Sequence, residues 1–182
     1  MPRKLGLCGC PGRRIDEPTV VIQRELGEDL ARLKNHYGVT TLVSLVGVHE
    51  LRSVCGLPRY EQDVRRAGLE FVAFPMVDMA PPENLEQTVE FVKGLEGLTQ
   101  RGEVLAVHCK AGNGRAGTIA GCWLLERGDC ETAADAIRMV RQRRSAKAIQ
   151  SYRQEKFIGA YEERLATVDF LSRRESMDGR RA

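Results

Sequence analysis

The chain has little aromatic surface: one tryptophan, four tyrosines and five phenylalanines in 182 residues. So sparse a set speaks against a protein that stacks nucleobases on aromatic rings. Neither sign of charge is in large excess, with 28 lysines and arginines against 25 acidic residues and a net charge of +3. A dedicated DNA-binding module needs a stronger basic footprint. No run approaches the roughly 18 apolar residues of a membrane-spanning helix. The opening MPRKLGLCGCPGRR holds no apolar stretch of signal length. Cysteine is sparse too: Cys8, Cys10, Cys55, Cys109, Cys122 and Cys130 are too few for a disulfide scaffold. No CxxC or CxxC…H spacing among them marks a zinc site. These absences predict a soluble chain with reduced thiols in the cytoplasm or nucleus, with no nucleic-acid partner and no membrane insertion.

What is present is one domain's worth of sequence, able to bury about 70% of its unfolded surface. Apolar residues alternate between strand and helix patterns. Lys4–Cys10 is a short mixed segment, and Cys8 and Cys10 are expected on one face of a strand. Val21–Tyr37 has near-helical spacing and is closed by Gly38. Val39–Val46 and Leu69–Phe74 read as strands, with short helices at His49–Cys55 and Arg59–Ala67 between them. Glu83–Leu98 is amphipathic, and Val104–Val107 is a buried strand leading into His108 and Cys109. Ala116–Arg127, Glu131–Arg143 and Gln150–Ala166 read as helices, the first apolar enough to be central. The alternation predicts an α/β fold: a single domain with a central, mostly parallel sheet flanked by helices. Residues 1–166 form the expected domain, and 167–182, with paired arginines and glycine or serine breaks, a flexible basic tail.

The informative stretch is VLAVHCKAGNGRAGT, residues 104–118. A buried strand delivers Cys109, a glycine-rich loop follows, and Arg115 stands at the mouth of an apolar helix. The loop Lys110, Ala111, Gly112, Asn113 and Gly114 can curl into an anion nest, its glycines admitting the needed backbone angles. The helix N-terminus adds unpaired donors and its positive dipole end. The same field favours Cys109 as a thiolate nucleophile. Arg115 can clasp two phosphate oxygens. Cysteine and arginine in CX5R spacing thus form a phosphate-cleaving arrangement that needs no metal and no cofactor. Gly112–Gly117 also matches the dinucleotide pattern GxGxxG. However, four residues separate it from its strand, and no second strand ending in an acid follows about 20 residues on.

HCKAGNGRAG resembles the signature of cysteine-dependent protein tyrosine and dual-specificity phosphatases, HCxxGxxR followed by serine or threonine. Across residues 5–166 the chain resembles the kinase-associated phosphatase subgroup. Leu5-Gly6-Leu7-Cys8 with Pro11-Gly12, Pro75-Met76-Val77-Asp78, and Ala148-Ile149-Gln150-Ser151 with Gln154 carry that likeness. The resemblance implies a dual-specificity phosphatase-like fold and a catalytic domain over residues 1–166. It implies Cys109 as nucleophile, Arg115 as phosphate clamp and Asp78 as general acid, with a phosphorylated protein as substrate and a cyclin-dependent kinase as the candidate. Bottom-up, Asp78 sits past a strand end among Pro75, Pro81 and Pro82, where it is either that acid or a turn residue. His108 either orients the loop and helps keep the thiolate or is a buried strand-end histidine. Gln150 either positions the attacking water or is a polar helix-start residue. Lys110 is either a substrate contact or a solvated lysine. The basic run from Arg138 to Lys156 is either a solvated face or a rim for anionic partners.

Two departures stand out. Ala116 replaces the hydroxyl residue that supports the departing cysteine in family members, so breakdown of the phosphocysteine is expected to be slow. Leu45-Val46-Gly47 offers no cysteine to pair with Cys109. The alternatives are a phosphoinositide phosphatase, suggested by the HCKAG start, and a phosphoprotein- or kinase-binding module with weak activity.

Overall fold

The structure is a computed structural model that describes residues 4–17, 20–53 and 55–178. Four strands, β1 (Lys4–Gly9), β4 (Thr41–Ser44), β5 (Glu70–Ala73) and β6 (Val104–Cys109), form one sheet in the order β1-β6-β4-β5. Every pairing in it is parallel. Parallel strands need crossovers, and these are supplied by α1 (Leu26–Tyr37), α2 (Val48–Ser53), α3 (Tyr60–Arg66) and α4 (Leu85–Gln100). β4, at the centre, is buried along its whole length, as its unbroken TLVS run requires.

After β6 the chain enters α5 (Gly114–Glu126), whose residues Gly114 to Leu125 are all buried. Helices α4, α6 (Ala133–Arg143) and α7 (Tyr152–Asp178) pack around it, and it lies against β1 and β6. A polar helix could not take this place; GTIAGCWLL can. At Gly121 a side chain would meet Ile158 Cδ1 at 2.9 Å, so the missing side chain lets α5 and α7 approach closely. Caps set the helix ends: Asn84 accepts from Gln87 N at 2.9 Å, and Thr132 accepts from Asp135 N at 3.2 Å. Gly38, at φ 67°, closes α1 with bonds to Leu33 and Lys34.

The structure corrects three expectations. Val21–Tyr37 is not one helix: β3 (Val20–Gln23) pairs antiparallel with β2 (Arg14–Glu17), and α1 starts only at Leu26. The β-branched run Val20-Val21-Ile22 favours a strand, and the five-residue step from Val21 to Leu26 is not helical. Cys10 is not on the strand with Cys8: it lies beyond the end of β1, where its thiol donates to Pro11 O at 3.6 Å. The neighbouring Cys55 thiol, with burial, pushes the Cys10 thiol up, and burial takes the Cys8 thiol to about 12. Finally, the expected tail from Thr167 is helical as far as Asp178, because residues 167–178 contain neither proline nor glycine. Residues 179–182 lie outside the described residues.

Tyr161 on α7 is fully buried and donates to Glu126 Oε2 on α5 at 2.8 Å. Replacing it with phenylalanine strands a half-buried carboxylate. Tyr161→Phe is expected to lower the unfolding free energy by about 1–3 kcal/mol, read as a reduced urea midpoint at unchanged slope.

Candidate active site

Cys109 ends β6 and is buried, and the next five residues turn back over it. Each carbonyl of that turn is taken from outside the loop. Lys110 O accepts from Cys10 N at 3.2 Å and from Arg13 Nη1 at 2.7 Å. Arg144 donates to Ala111 O at 3.2 Å and to Gly112 O at 2.9 Å. Asn113 O accepts from Gly117 N and Ile149 N, and Gly114 O accepts from the Thr118 hydroxyl at 3.0 Å. In a trans peptide the C=O and the following N–H point opposite ways. Five outward carbonyls therefore turn the N–H groups of residues 111–115 inward. One of them, Gly112 N, donates to Cys109 Sγ at 3.2 Å. The turn needs glycine at 112: φ is +75°, and a Cβ there would lie 2.3 Å from Cys8 O.

Arg115, on the first turn of α5, is almost wholly buried. Glu50 grips it with both carboxylate oxygens, at 2.7 Å to Nη1 and 2.9 Å to Nη2. Met76 O accepts from Nη1 at 3.1 Å, and Asp78 Oδ1 lies 3.1 Å from Nη2. Burial works against the guanidinium charge, yet Glu50, Asp78 and Cys109 together hold its pKa above the ordinary value. Nε is left buried without a partner among the described residues. A buried, unpaired guanidinium donor beside a ring of inward N–H groups is a site built for an anion.

Asp78 is half exposed and also accepts from Met79 N. Met79 holds a positive φ of 61°, and its carbonyl accepts from Ser151 Oγ at 3.0 Å. Gln154, fully buried, donates to Ala80 O at 3.2 Å and accepts from Gln150 N at 2.8 Å. Ile149 also has a positive φ, 59°, an unusual angle for a β-branched residue. Arg141 holds this bend by donating to Ala148 O and Ile149 O. The bend places the Gln150 side chain over the loop, its Oε1 2.6 Å from where a Gly114 side chain would begin.

The structure thus gathers Cys109, Arg115, Asp78, the loop residues 110–114 and Gln150 around one mouth, with His108 beneath. Part of the basic run is used to build the site: Arg141 and Arg144 hold backbone carbonyls, and Arg138 pairs with Asp135 at 2.6 Å. The residues that sequence reading missed are Glu50, Arg13, Arg144 and Tyr60. Glu50 carried one available signal, its place just past the C-terminal end of β4, where open parallel sheets keep their sites.

His108 is fully buried, with Nε2 3.1 Å from the hydroxyl of Tyr60. Burial drives its pKa down to about 3, helped by Arg115 and opposed by the Cys109 backbone. The imidazole is therefore neutral, and it orients the strand end without lending charge to Cys109. Above about pH 6.5 neither the folded nor the unfolded chain holds a proton here. Below it the unfolded chain binds one and the folded protein does not, so stability falls as pH drops toward the folded value of about 3. The slope reaches about 1.4 kcal/mol per pH unit. His108→Gln keeps a partner for Tyr60 and cannot titrate. Urea unfolding between about pH 7.5 and pH 4 should show the wild type losing stability faster than the variant. A pH-independent gap between the two would contradict this.

The family described as "PTP-SAK: Swiss Army Knife protein, DSP-PTPase phosphatase domain" matches residues 19–158. Cyclin-dependent kinase inhibitor 3 of Sus scrofa is 28% identical over 173 residues, covering 95% of this chain and 77% of that protein. Protein tyrosine phosphatase type IVA 2 of Mus musculus is 31% identical over 129 residues, covering 70% of this chain and 68% of the relative. Among solved structures, a kinase associated phosphatase with its catalytic-site cysteine replaced by serine has a TM-score of 0.80 at 24% identity. That match covers 89% of this chain and 87% of the other and speaks for the shared fold. The matched region takes in every strand of the sheet but β1, together with the whole phosphate loop, so the chain belongs to the PTP-SAK family of DSP-PTPase phosphatase domains and is a cysteine-dependent phosphatase.

Proposed function

We propose that this chain hydrolyses phosphate esters on protein side chains through a phosphocysteine. One observation carries the reading: all five loop carbonyls are held outward, so that five N–H groups and Arg115 Nε converge beside Cys109. The phosphoryl oxygens of a bound ester sit in this ring, which stabilises their charge in the transition state. The Cys109 thiolate attacks phosphorus and the ester oxygen leaves with a proton from Asp78. Water then attacks the phosphocysteine, giving its proton to Asp78 and releasing inorganic phosphate and the thiolate. Binding draws Arg115 Nη2 to the phosphate and frees the Asp78 carboxyl for the leaving oxygen. Glu50 keeps the guanidinium in plane, and Gln150, over Gly114, orients the water. Lys110, at the loop rim, meets the anionic substrate.

The names of two relatives, cyclin-dependent kinase inhibitor 3 and the kinase associated phosphatase, support a phosphorylated kinase as the substrate and partner. A thiolate nucleophile also fits work in a reducing compartment, the cytoplasm or nucleus. A lipid phosphate is the second reading, favoured by a relative named phosphatidylglycerophosphatase and protein-tyrosine phosphatase 1, 31% identical over 137 residues.

The second chemical step is where the resemblance to the phosphatase signature implies a departure. Ala116 brings no hydroxyl, and the Thr118 hydroxyl is spent on Gly114 O. No other side-chain hydroxyl stands on α5 to stabilise the thiolate as it departs. With an aryl phosphate and a chelator present, a burst of about one equivalent of phenol per protein should precede slow turnover. Cys109→Ser should abolish both phases, and Asp78→Ala should cut turnover about 100- to 10,000-fold. Ala116→Ser should raise the steady rate about 3- to 10-fold, the worth of one hydrogen bond. Absence of vanadate-sensitive activity in the wild type would sink the enzyme reading. Parallel phosphopeptide and phosphoinositide panels decide between the two substrate classes.

A further inference from the structure

A groove of about 810 Å³ runs along β1, apart from the mouth of the phosphate loop. β1 is an edge strand, paired with β6 on one side only. Which of its backbone groups face the groove follows from the ladder. Thr40 N takes Val104 O and Leu45 N takes His108 O, so the even-numbered residues of β6 bond toward β4. The odd-numbered ones turn to β1, where a parallel ladder engages alternate residues, here Lys4, Gly6 and Cys8. The N–H and C=O groups of Leu5 and Leu7 therefore point away from the sheet and have no partner among the described residues.

The opposite edge is treated differently. On β5, Glu70 N and Phe74 N bond back to β4, and the outward carbonyl of Phe71 is covered by Arg65 Nη2 at 3.2 Å. Folded proteins usually blunt an edge in some such way. β1 is instead left open, between walls that include the apolar side chains of Leu33 on α1 and Trp123 and Leu124 on α5.

The charges in those walls select the occupant. Arg24 is matched by Asp29 at 3.0 Å and Arg127 by Asp129 at 3.3 Å. Lys4, Arg32 and Arg143 also line the groove, with no carboxylate in ion-pair range among the described residues. Arg32 rests beside the exposed ring of Tyr37, 6.0 Å from its centroid. We infer that this groove docks an extended acidic segment of a partner protein, which adds to the sheet as a strand beside β1. An extended chain supplies the missing backbone bonds, alternate apolar side chains fill the walls, and the acidic ones meet the three unmatched cations. A helix has no free backbone groups for the edge, and a second copy of this chain would bring the same cations face to face.

The test is fluorescence anisotropy of a labelled peptide of alternating glutamate and leucine, with tungstate saturating the phosphate loop. The peptide should bind, and its lysine-leucine counterpart should not. Methylating every amide nitrogen of the peptide should weaken binding roughly tenfold or more, because strand addition then fails. Arg32→Glu combined with Arg143→Glu should weaken it to a similar degree and leave aryl-phosphate turnover unchanged, since neither residue touches the phosphate loop. Equal binding of the methylated peptide, displacement by tungstate, or a sedimenting dimer that excludes the peptide would each overturn the inference. None of these outcomes depends on whether the chain hydrolyses phosphoprotein or lipid.

Discussion

A peptide group has two polar ends, and in residues 110–114 the scaffold takes all five carbonyls so that all five following N–H groups remain for an anion. Such convergence is unfavourable by itself: inward dipoles repel one another, and unpaired donors are costly to bury. What stabilises it is distributed around the molecule. β1 contributes Cys10 N at its end, the following turn contributes Arg13, the end of α6 contributes Arg144, and the bend before α7 contributes Ile149 N. The loop is thus the point where the edge strand, the central strand and three helices are joined. The bonds that hold it are all from the protein itself, the pre-organisation that electrostatic catalysis of phosphoryl transfer requires.

Arg115 extends the same logic to a full charge. A guanidinium this buried cannot stand alone, and Glu50 meets it in a two-pronged contact that fixes its plane. The geometry leaves Nε unpaired while both terminal nitrogens are occupied. A phosphate therefore finds one donor free and a second, Nη2, shared between Glu50 and the half-exposed Asp78. Of the two carboxylates on Arg115, the exposed one is the one that yields.

Much of this was legible in the sequence, and the part that was not has a physical reason. The strand-loop-helix run around Cys109 is local, so its periodicity and glycines placed Cys109 at a strand end, the loop after it and Arg115 on the first turn of a buried helix, where the structure has them. Asp78 and Gln150 were reachable because each adjoins a proline-rich or helix-start signal. Glu50, Arg13 and Arg144 act across 65, 97 and 32 residues of chain, and no spacing rule links such positions. The β2–β3 hairpin was hidden because its valines happen to precede a leucine repeat, and local propensity was read as part of the helix. For His108 the residues leave open a helper of the thiolate or a buried strand-end histidine; its complete burial makes it neutral, a property of packing that no motif states.

The loop bearing Asp78 shows how far a static frame limits motion. Proline-flanked and partly exposed, it has the composition of a lid that swings closed. Its far side is nonetheless fastened: Ser151 holds Met79 O, and buried Gln154 holds Ala80 O while its other amide atom accepts from residues 150 and 151. On the near side Met76 is tied by its N–H to Leu45 and by its carbonyl to Arg115. Only Val77 and Asp78 lie between these two anchors. Closure over a substrate is therefore confined to a rotation of the Asp78 side chain and its adjoining peptides. The strained angle at Met79, held by both fastenings, keeps that short span aimed at the phosphate loop.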